Sequence, residues 1–211
     1  MGSKDRIERR KKETYALILK TAKDIMIKEG IDKLSIRKLT DKMEYSPAMI
    51  YHYFSNKEDI INSVMEKEYK KIVDTLFKAH DPNNKPLVNL SNCLRSYIKE
   101  ALKNKEVYKY VMLQDKPEIL KHTSVLSVST FDNRPALQLL FNQIESLYEG
   151  KTDKQMIQMK AQTIWTSTFG LIIRMITETI ISAEWIDYFI DQHITFVQHS
   201  LLYDQLMKGE D

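Results

Sequence analysis

The residues that could carry out covalent or acid–base chemistry are few in this chain and are poorly spaced for it. The single cysteine, Cys93, would need a base beside it to act as a nucleophile. His80 and His122 are the candidates, yet the residues around Cys93 support neither pairing. The chain also has no phosphate-binding glycine loop and no His-Glu-X-X-His pair, so the sequence predicts neither an enzyme nor a bound cofactor.

A candidate metal site lies near the C-terminus, where Asp187, Asp191 and His193 come close together in sequence. Carboxylate and imidazole groups are common metal ligands. On one helix, however, these residues are explained better by a face that meets water or another protein. We therefore expect no metal site, and a single cysteine excludes an internal disulfide and a four-cysteine zinc site.

A different set of residues, in the first quarter of the chain, can start three helices in quick succession. Ser35 can cap a first helix. Ser46 can cap a second, and Pro47 suits its first position, where a missing N–H costs nothing. Ser55 and Glu58 form the Ser-X-X-Glu pattern of a capping box for the third. Two short helices joined by a few residues form a helix-turn-helix, whose second helix lies in the major groove of DNA.

The second short helix has the side chains that a groove-binding helix requires. Such a helix approaches base edges closely only if its N-terminal residues are small or adaptable, as Ser46, Pro47, Ala48 and Met49 are. Met49 and Ala48 can pack on thymine methyl groups, and His52 can bond to a base edge or a phosphate. Ser46 would cap the helix without DNA, however, and His52 can equally be an ordinary surface residue.

Phosphate contacts are predicted on both sides of this helix. Lys57 lies in the first turn of the third helix, where backbone N–H groups and the helix dipole favour an anion. Arg37 can reach a base or a phosphate, and Ser35 can donate to a phosphate while it caps its helix. Tyr53 and Phe54 are assigned to the core instead.

The distribution of charge indicates a polyanionic partner. Residues 1–57 hold 14 Lys and Arg against 8 Asp and Glu, a net charge of +6, whereas the remainder has a net charge of −3. Such asymmetry is expected when one part of a chain binds nucleic acid, although a solvated lysine-rich helix gives the same count. Arg6, Arg9 and Arg10 belong to a basic arm at residues 4–12, which either follows a DNA backbone or is a solvated tail.

The elements that position these residues are predicted to be helices throughout. Apolar residues recur at helical spacing, and the chain has only 5 Gly and 5 Pro. We expect an all-α protein of about nine helices, with a helix-turn-helix DNA-binding domain at 1–55 and a larger helical regulatory domain at 56–211. An irregular connection is expected at 114–134. After a first helix that Gly30 ends, the helices are predicted at about 35–43, 46–53, 55–78, 87–103, 105–114, 135–149, 154–182 and 184–207.

The last two predicted helices, 154–182 and 184–207, are expected to form a homodimer. The first of them has apolar stripes on two sides, so it must be buried on both. A four-helix interface between two copies would bury them, although both helices can also serve only their own core. One helix-turn-helix contacts few base pairs, so useful affinity requires two units about 34 Å apart on a near-palindromic site.

The N-terminal quarter resembles the tetracycline-repressor (TetR) family of bacterial transcription regulators. The resemblance rests on Leu34–Leu39, Ser46–Phe54 and Asn56–Glu58. Further along, Trp165 and the pair Gly170-Leu171 on the penultimate helix are also similar to the family's pattern. The resemblance implies the same order of helices and the same DNA-binding role.

The chain departs from the family's pattern at the turn between the two short helices. The family usually has a small residue and then glycine there, where this chain has Met43 and Glu44. A residue other than glycine can make such a turn at modest strain, so we expect the turn to form. Lys38 and Thr40 likewise replace a more usual acidic residue and alanine.

The resemblance also implies roles for residues that spacing alone does not assign. The Tyr51 hydroxyl would bind a phosphate. The middle helices would surround a pocket for a small apolar or aromatic effector, which changes the spacing of the two DNA-binding units and lowers DNA affinity. Aromatic residues at helical spacing can equally be core. The candidate pocket residues are Tyr97, Tyr108, Met112, Phe141, Trp165 and Phe169.

The sequence therefore predicts a cytoplasmic, homodimeric transcription regulator that binds double-stranded DNA. No membrane span is expected, because Arg174 interrupts the longest apolar segment. The favoured form is a repressor released from a palindromic operator by a small molecule. One alternative has the same fold but responds to a protein partner, or acts in activation or chromosome organisation. The other is a helical enzyme or carrier whose N-terminal motif is vestigial.

Overall fold

Helices make up the computed structural model, which describes residues 3–113, 115, 117, 120, 123–126, 134–149, 152–178 and 182–207. These residues form nine α-helices, one short 3-10 helix at Ile31–Lys33 and no strand, so the predicted all-α class is confirmed. Most of the irregular connection predicted at 114–134 lies outside the described residues. The helices are α1 (Ser3–Glu29), α2 (Ile36–Met43), α3 (Pro47–Tyr51), α4 (Lys57–Ala79), α5 (Pro86–Lys103), α6 (Lys105–Met112), α7 (Pro135–Leu147), α8 (Lys154–Thr177) and α9 (Ala183–Met207).

The chain divides into two compact units. The first is Met1–Tyr69 with Tyr110–Thr123, and the second is Lys70–Lys109 with Ser124–Asp211. Helix α4 therefore contributes residues to both units. The domain boundary that we expect at residue 55 remains a prediction.

One apolar core joins the helices of the first unit. Helix α1 buries one face along its second half, and α2 and α3 each add one large residue, Leu39 and Ile50, that is fully buried. Full burial of such a side chain stabilises the fold by about 1.5–3 kcal/mol. The core residues are Ile18, Leu19, Ala22, Ile25, Met26, Ile31, Leu34, Leu39, Ile50, Phe54, Ile60, Ile61, Val64 and Met65.

Helix α1 begins earlier than predicted and ends where predicted. The basic arm is not a separate segment that leads into the helix, because Ser3–Glu29 is one continuous helix. Residues 4–12 contain neither Gly nor Pro, and Glu8 pairs with Lys12 four residues on, which favours helix. Gly30 ends α1 with a φ of 95°, a backbone conformation that favours glycine.

The capping box of α4 lies one residue later than predicted. The Asn56 side chain, rather than that of Ser55, accepts the Asp59 N–H at 2.8 Å. The Asp59 carboxylate in turn accepts the Ser55 N–H at 3.1 Å. Asparagine and aspartate can perform these two tasks as well as serine and glutamate do. Residue type alone therefore allows either Ser55 or Asn56 to cap α4.

In the second unit, α5 packs against α7, α8 and α9. Polar contacts fix α5 along α9: Lys99 Nζ lies 3.1 Å from an Asp187 carboxylate oxygen, and the Gln198 side chain donates to Ser91 Oγ at 2.7 Å. The Tyr148 hydroxyl donates to the Leu201 carbonyl at 3.0 Å and so ties the end of α7 to α9.

Candidate nucleic-acid interface

Helix α3 is anchored on one side and open on the other. Ser46 has extended backbone, and its hydroxyl accepts the Met49 N–H at 3.4 Å, with Pro47 at the first helical position. Ile50 is fully buried, whereas Ser46, Pro47, Ala48 and Met49 are exposed. One buried side chain therefore holds the helix while its N-terminal residues remain available to a partner.

The residues at the end of α3 and just after it also include both exposed and buried side chains. The Tyr51 side chain is 57% exposed and His52 is also exposed, whereas Phe54 is buried as predicted. The ring of Phe54 stacks on Tyr15 of α1 with the centroids 5.1 Å apart. His52 meets the ring of Tyr53 edge to face at 5.3 Å, which orients the imidazole without burying it.

The remaining candidates lie at the starts of α2 and α4. The Ser35 hydroxyl accepts the Lys38 N–H at 3.1 Å, so Ser35 is the cap of α2 as predicted. Arg37 is exposed, and Lys57 is partly exposed at the first position of α4. None of the nine residues predicted to contact DNA is therefore buried in the protein.

The turn between α2 and α3 forms without glycine. Glu44 has φ 56° and ψ 38°, which is the left-handed conformation, and its N–H donates to the Thr40 carbonyl. The Tyr45 N–H donates to the same carbonyl at 3.2 Å. The turn that the family makes with glycine is thus made here by a residue that has to bear the strain.

Lys38 and Thr40, which also depart from the family's pattern, have partners inside the protein. Lys38 and Lys42 both pair with Glu29, the last residue of α1, and Lys42 Nζ lies 2.9 Å from its carboxylate. Hydrogen bonds from these two lysines lower the pKa of the Glu29 carboxyl to about 2. Thr40 is buried, and its hydroxyl donates to the Arg37 carbonyl at 2.7 Å. The two lysines therefore fix α2 to α1.

Tyr97 and Trp165 lie in the wall of a small cavity in the second unit. Their rings stack with the centroids 4.8 Å apart, and the Tyr97 hydroxyl lies 2.6 Å from that of Tyr108. The cavity has a volume of about 20 Å³, room for about one water molecule. Sites for drug-sized ligands are about 300–1,000 Å³, so this cavity is too small for an effector of that size. The lining residues are Leu76, Leu90, Cys93, Leu94, Tyr97, Ala136, Leu139, Leu140, Gln143 and Trp165.

The other four candidate pocket residues are not among those that line this cavity. Tyr108 and Phe141 are buried, and burial raises the pKa of the Tyr108 hydroxyl. The ring of Phe169 lies 6.4 Å from that of Tyr108, whereas Met112 belongs to the first unit. The structure therefore brings only part of the predicted set to one cavity.

Cys93 and His80, two of the residues considered for catalysis, both contact Gln143. The Gln143 side-chain nitrogen lies 3.3 Å from both the Cys93 sulfur and the His80 ring, so it bridges the two side chains. Burial raises the pKa of the Cys93 thiol, which disfavours the reactive thiolate. His122 lies outside the described residues.

The three residues considered for metal binding each have another partner: Asp187 pairs with Lys99, Asp191 pairs with Arg95, and His193 contacts Thr168. Throughout the part of the chain that the structure describes, no cluster of three or more His, Cys, Asp and Glu is arranged to hold a metal ion. Nor is any helix in those ranges long and apolar enough to cross a membrane.

Helix α9 has an exposed apolar stripe, which the sequence pattern did not distinguish from the residues of the same helix that face the core. The residues of α9 that face its own core, among them Ile190 and Val197, are buried. Large apolar residues also recur on the opposite side, where the spacing of 185, 189, 196 and 203 follows the helix repeat. The exposed residues are Trp185, Tyr188, Phe189, Phe196, Leu202 and Tyr203.

Comparison with known proteins gives one match in sequence and many in fold. Residues 18–64 match the sequence model described as bacterial regulatory proteins, tetR family. This match confirms the resemblance seen in the N-terminal quarter. No protein among those with curated functions matches the chain in sequence.

Several solved structures share the fold over most of the chain. The fatty acid degradation regulator FadR from Bacillus halodurans has a TM-score of 0.68 at 14% identity, with 87% of this chain and 93% of that chain covered. A TetR-like transcriptional regulator from Rhodococcus sp. RHA1 has 0.65 at 20%, covering 89% and 94%. A TetR family transcription regulator from Marinobacter aquaeolei VT8 has 0.64 at 14%, covering 89% and 97%. At such identities the likeness concerns the fold alone.

Proposed function

We propose that this chain, which has a TetR-family helix-turn-helix at residues 18–64 and the fold of TetR-family regulators, is a dimeric repressor that binds a palindromic operator. The observation that carries the proposal is the one-sided burial of α3. Its core-facing residue, Ile50, is fully buried, while its N-terminal residues are exposed. A protein that regulates bacterial genes in this way acts in the cytoplasm, where the DNA is.

Base recognition is assigned to Ala48 and Met49, whose apolar surfaces suit thymine methyl groups, and to His52, which can donate or accept a hydrogen bond. Phosphate contacts are assigned to Tyr51 and Lys57. Ser35, Arg37, Ser46 and Pro47 complete the surface, since they surround the same short helix in sequence. Lys38 and Lys42 are excluded because Glu29 engages both amino groups.

Dimerisation is supported by the exposed face of α9 and by a matching face of α8. Large exposed apolar patches on folded chains commonly mark sites of association. On α8 the exposed positions include Thr163, Thr166 and Gly170, small residues at helical spacing that let another helix approach closely. A Cβ atom added at Gly170 would meet nothing within 4 Å. The four-helix interface therefore forms from the 154–177 and 183–207 helices of two copies.

An effector for this regulator would be small and apolar or aromatic, since the cavity beside Tyr97 and Trp165 is lined mostly by apolar side chains. The Trp165 indole Nε1 is buried, and no acceptor among the described residues lies within bonding distance of it. A ligand carbonyl could accept this hydrogen bond. Because the cavity now has room for about one water molecule, binding requires the surrounding helices to move apart.

The small cavity also favours a second candidate, a regulator of the same fold that responds to a protein partner or acts without an effector. Calorimetric titration with a set of small apolar and aromatic compounds separates the two. Binding that a Trp165→Phe variant weakens supports the first. No binding by any compound, with DNA binding intact, supports the second.

DNA binding is tested by selection of duplexes from a random-sequence library with the purified chain. We expect recovery of a near-palindromic site with half-sites about one helical turn apart, bound with steep salt dependence. Recovery of no enriched sequence, together with no binding at low salt, would contradict the proposal and leave the helical enzyme or carrier as the better interpretation.

The dimer is tested by sedimentation of Phe196→Glu, which places a charge in the exposed stripe. We expect this variant to be monomeric and to lose most of its affinity for the selected site. The matched control is Phe77→Glu, since Phe77 is similarly exposed but lies on α4. If both variants sediment like the unchanged chain, the stripe on α9 is not the interface.

A further inference from the structure

The first three turns of α1 extend beyond the core of the first unit. Every residue from 4 to 13 is exposed, and the first buried residue of the helix is Ile18. At a rise of 1.5 Å per residue, these ten residues form about 15 Å of exposed helix. Such a segment contributes no core, so its composition is free to serve another purpose.

Two of the charges on this segment, those of Arg6 and Arg10, repel each other. Arg6 and Arg10 lie four residues apart, so they share one face, and like charges at this spacing cost about 0.2–0.5 kcal/mol. Arg6 also lies near the positive end of the helix dipole, where a cation is disfavoured. Glu13 pairs with Arg9, at 3.5 Å, and Glu8 pairs with Lys12, at 4.0 Å. Glu8 and Glu13 therefore pair with Lys12 and Arg9, and not with Arg6 or Arg10.

We propose that the exposed start of α1 is a second phosphate-binding element, in which Arg6 and Arg10 contact the backbone of the same duplex that α3 binds. The inference rests on the proposed function. An anion placed between the two guanidinium groups turns their repulsion into two attractive contacts, and guanidinium binds phosphate oxygens in a bidentate manner. A membrane surface suits the segment poorly, because Ile7 is the only large apolar residue from 4 to 13.

DNA contact would also stabilise the exposed turns of α1. An exposed helix end frays in water, because extending a helix by one residue gains little stability without tertiary packing. Binding of Arg6 and Arg10 to phosphates would hold its first turns in place. Amide hydrogen exchange of residues 4–12 should therefore slow when duplex DNA is added, and unchanged exchange would contradict the proposal.

The decisive experiment compares three double variants on a labelled duplex of about 40 base pairs, long enough for two half-sites. Removal of one phosphate contact should reduce the slope of log affinity against log salt by about 0.9. We expect Arg6→Gln with Arg10→Gln to reduce the slope by about 1.8 for each protomer bound, since two contacts are removed. Arg6→Lys with Arg10→Lys should restore most of the slope, because the charge remains.

The matched control is Lys103→Gln with Lys105→Gln, which removes the same charge from exposed positions in the second unit. This control should leave the slope unchanged, since a lower net charge alone breaks no phosphate contact. Equal slopes for the unchanged chain and the Arg6 and Arg10 glutamine variant would overturn the inference, whereas the proposed function would stand. Absence of DNA binding by the unchanged chain would instead contradict the proposed function.

Discussion

The hydroxyl oxygen of Thr168 lies 2.8 Å from Nε2 of His193 and joins α8 to α9. The same hydroxyl donates to the Ile164 carbonyl at 2.7 Å, so it has no proton left for His193. His193 must therefore carry a proton on Nε2 and donate it. Thr168 is fully buried, and burial lowers the pKa of the His193 imidazole from its usual 6.5.

This lowered pKa predicts that the chain loses stability in mild acid. The unfolded chain binds a proton at His193 near pH 6.5, whereas the folded chain binds it only at lower pH. Stability from this group is therefore complete above pH 6.5 and is lost as the pH falls towards the folded pKa. Urea unfolding at fixed protein concentration should show that His193→Gln is less stable than the unchanged chain at pH 8, by a margin that shrinks at pH 5.5. An equal margin at both pH values would show that His193 does not titrate differently in the two states.

Glycine at position 44 should stabilise the protein. Glu44 has a left-handed backbone conformation, which costs a residue with a Cβ about 1–2 kcal/mol. Glycine removes this strain but adds about 0.4–1 kcal/mol of unfolded-chain entropy, so we expect a net gain of about 0.5–1 kcal/mol for Glu44→Gly in urea unfolding. Glu44→Val should destabilise, because a β-branched residue tolerates this conformation poorly. A loss of stability on Glu44→Gly would mean that the Glu44 side chain makes a contact worth more than the strain.

Replacement of the capping residues of α4 tests which of two neighbours starts the helix. Asn56→Ala removes the side chain that accepts the Asp59 N–H and should cost about 1 kcal/mol in unfolding free energy. Ser55→Ala should change it by less than about 0.5 kcal/mol, because Ser55 contributes only its backbone N–H. A larger loss of unfolding free energy for Ser55→Ala than for Asn56→Ala would show that Ser55 is the cap.

Lys57→Ala should weaken binding to all DNA sequences about equally. A phosphate contact carries no base information, so only the salt dependence should change, with a slope smaller by about 0.9 for each protomer. Fluorescence anisotropy on the selected site and on an unrelated duplex measures both quantities. A slope that equals that of the unchanged chain would remove Lys57 from the interface.

Met49→Ala should change the preferred sequence rather than the salt slope. Met49 is 41% exposed at the N-terminal end of α3, where its replacement removes apolar surface that can meet a thymine methyl. One methyl or methylene contact is worth about 0.8 kcal/mol, so affinity for the selected site should fall a few-fold more than affinity for other duplexes. An unaltered preference would mean that a different residue or helix makes the base contacts.

The sequence by itself determined the helices and most of their ends, because helix formation depends on local periodicity, caps and breakers. Ser35 and Ser46 cap α2 and α3, and Gly30 ends α1, as their residue types predict. The predicted start of α4 is wrong by one residue because adjacent residues there can each perform the capping task. The predicted start of α1 is wrong because nothing in the basic segment interrupts a helix.

Only the tertiary structure decided which apolar stripe of each helix faces the core, since periodicity shows that a helix has an apolar face but not what covers it. Phe189 and Ile190 are adjacent in sequence, yet only Ile190 is buried. Only the tertiary structure, likewise, decided which residues distant in sequence contact each other. Glu29 engages both Lys38 and Lys42, and of the six aromatic or Met candidates only Tyr97 and Trp165 border the cavity. Such contacts depend on how the helices pack together, and no local pattern of residues specifies that packing.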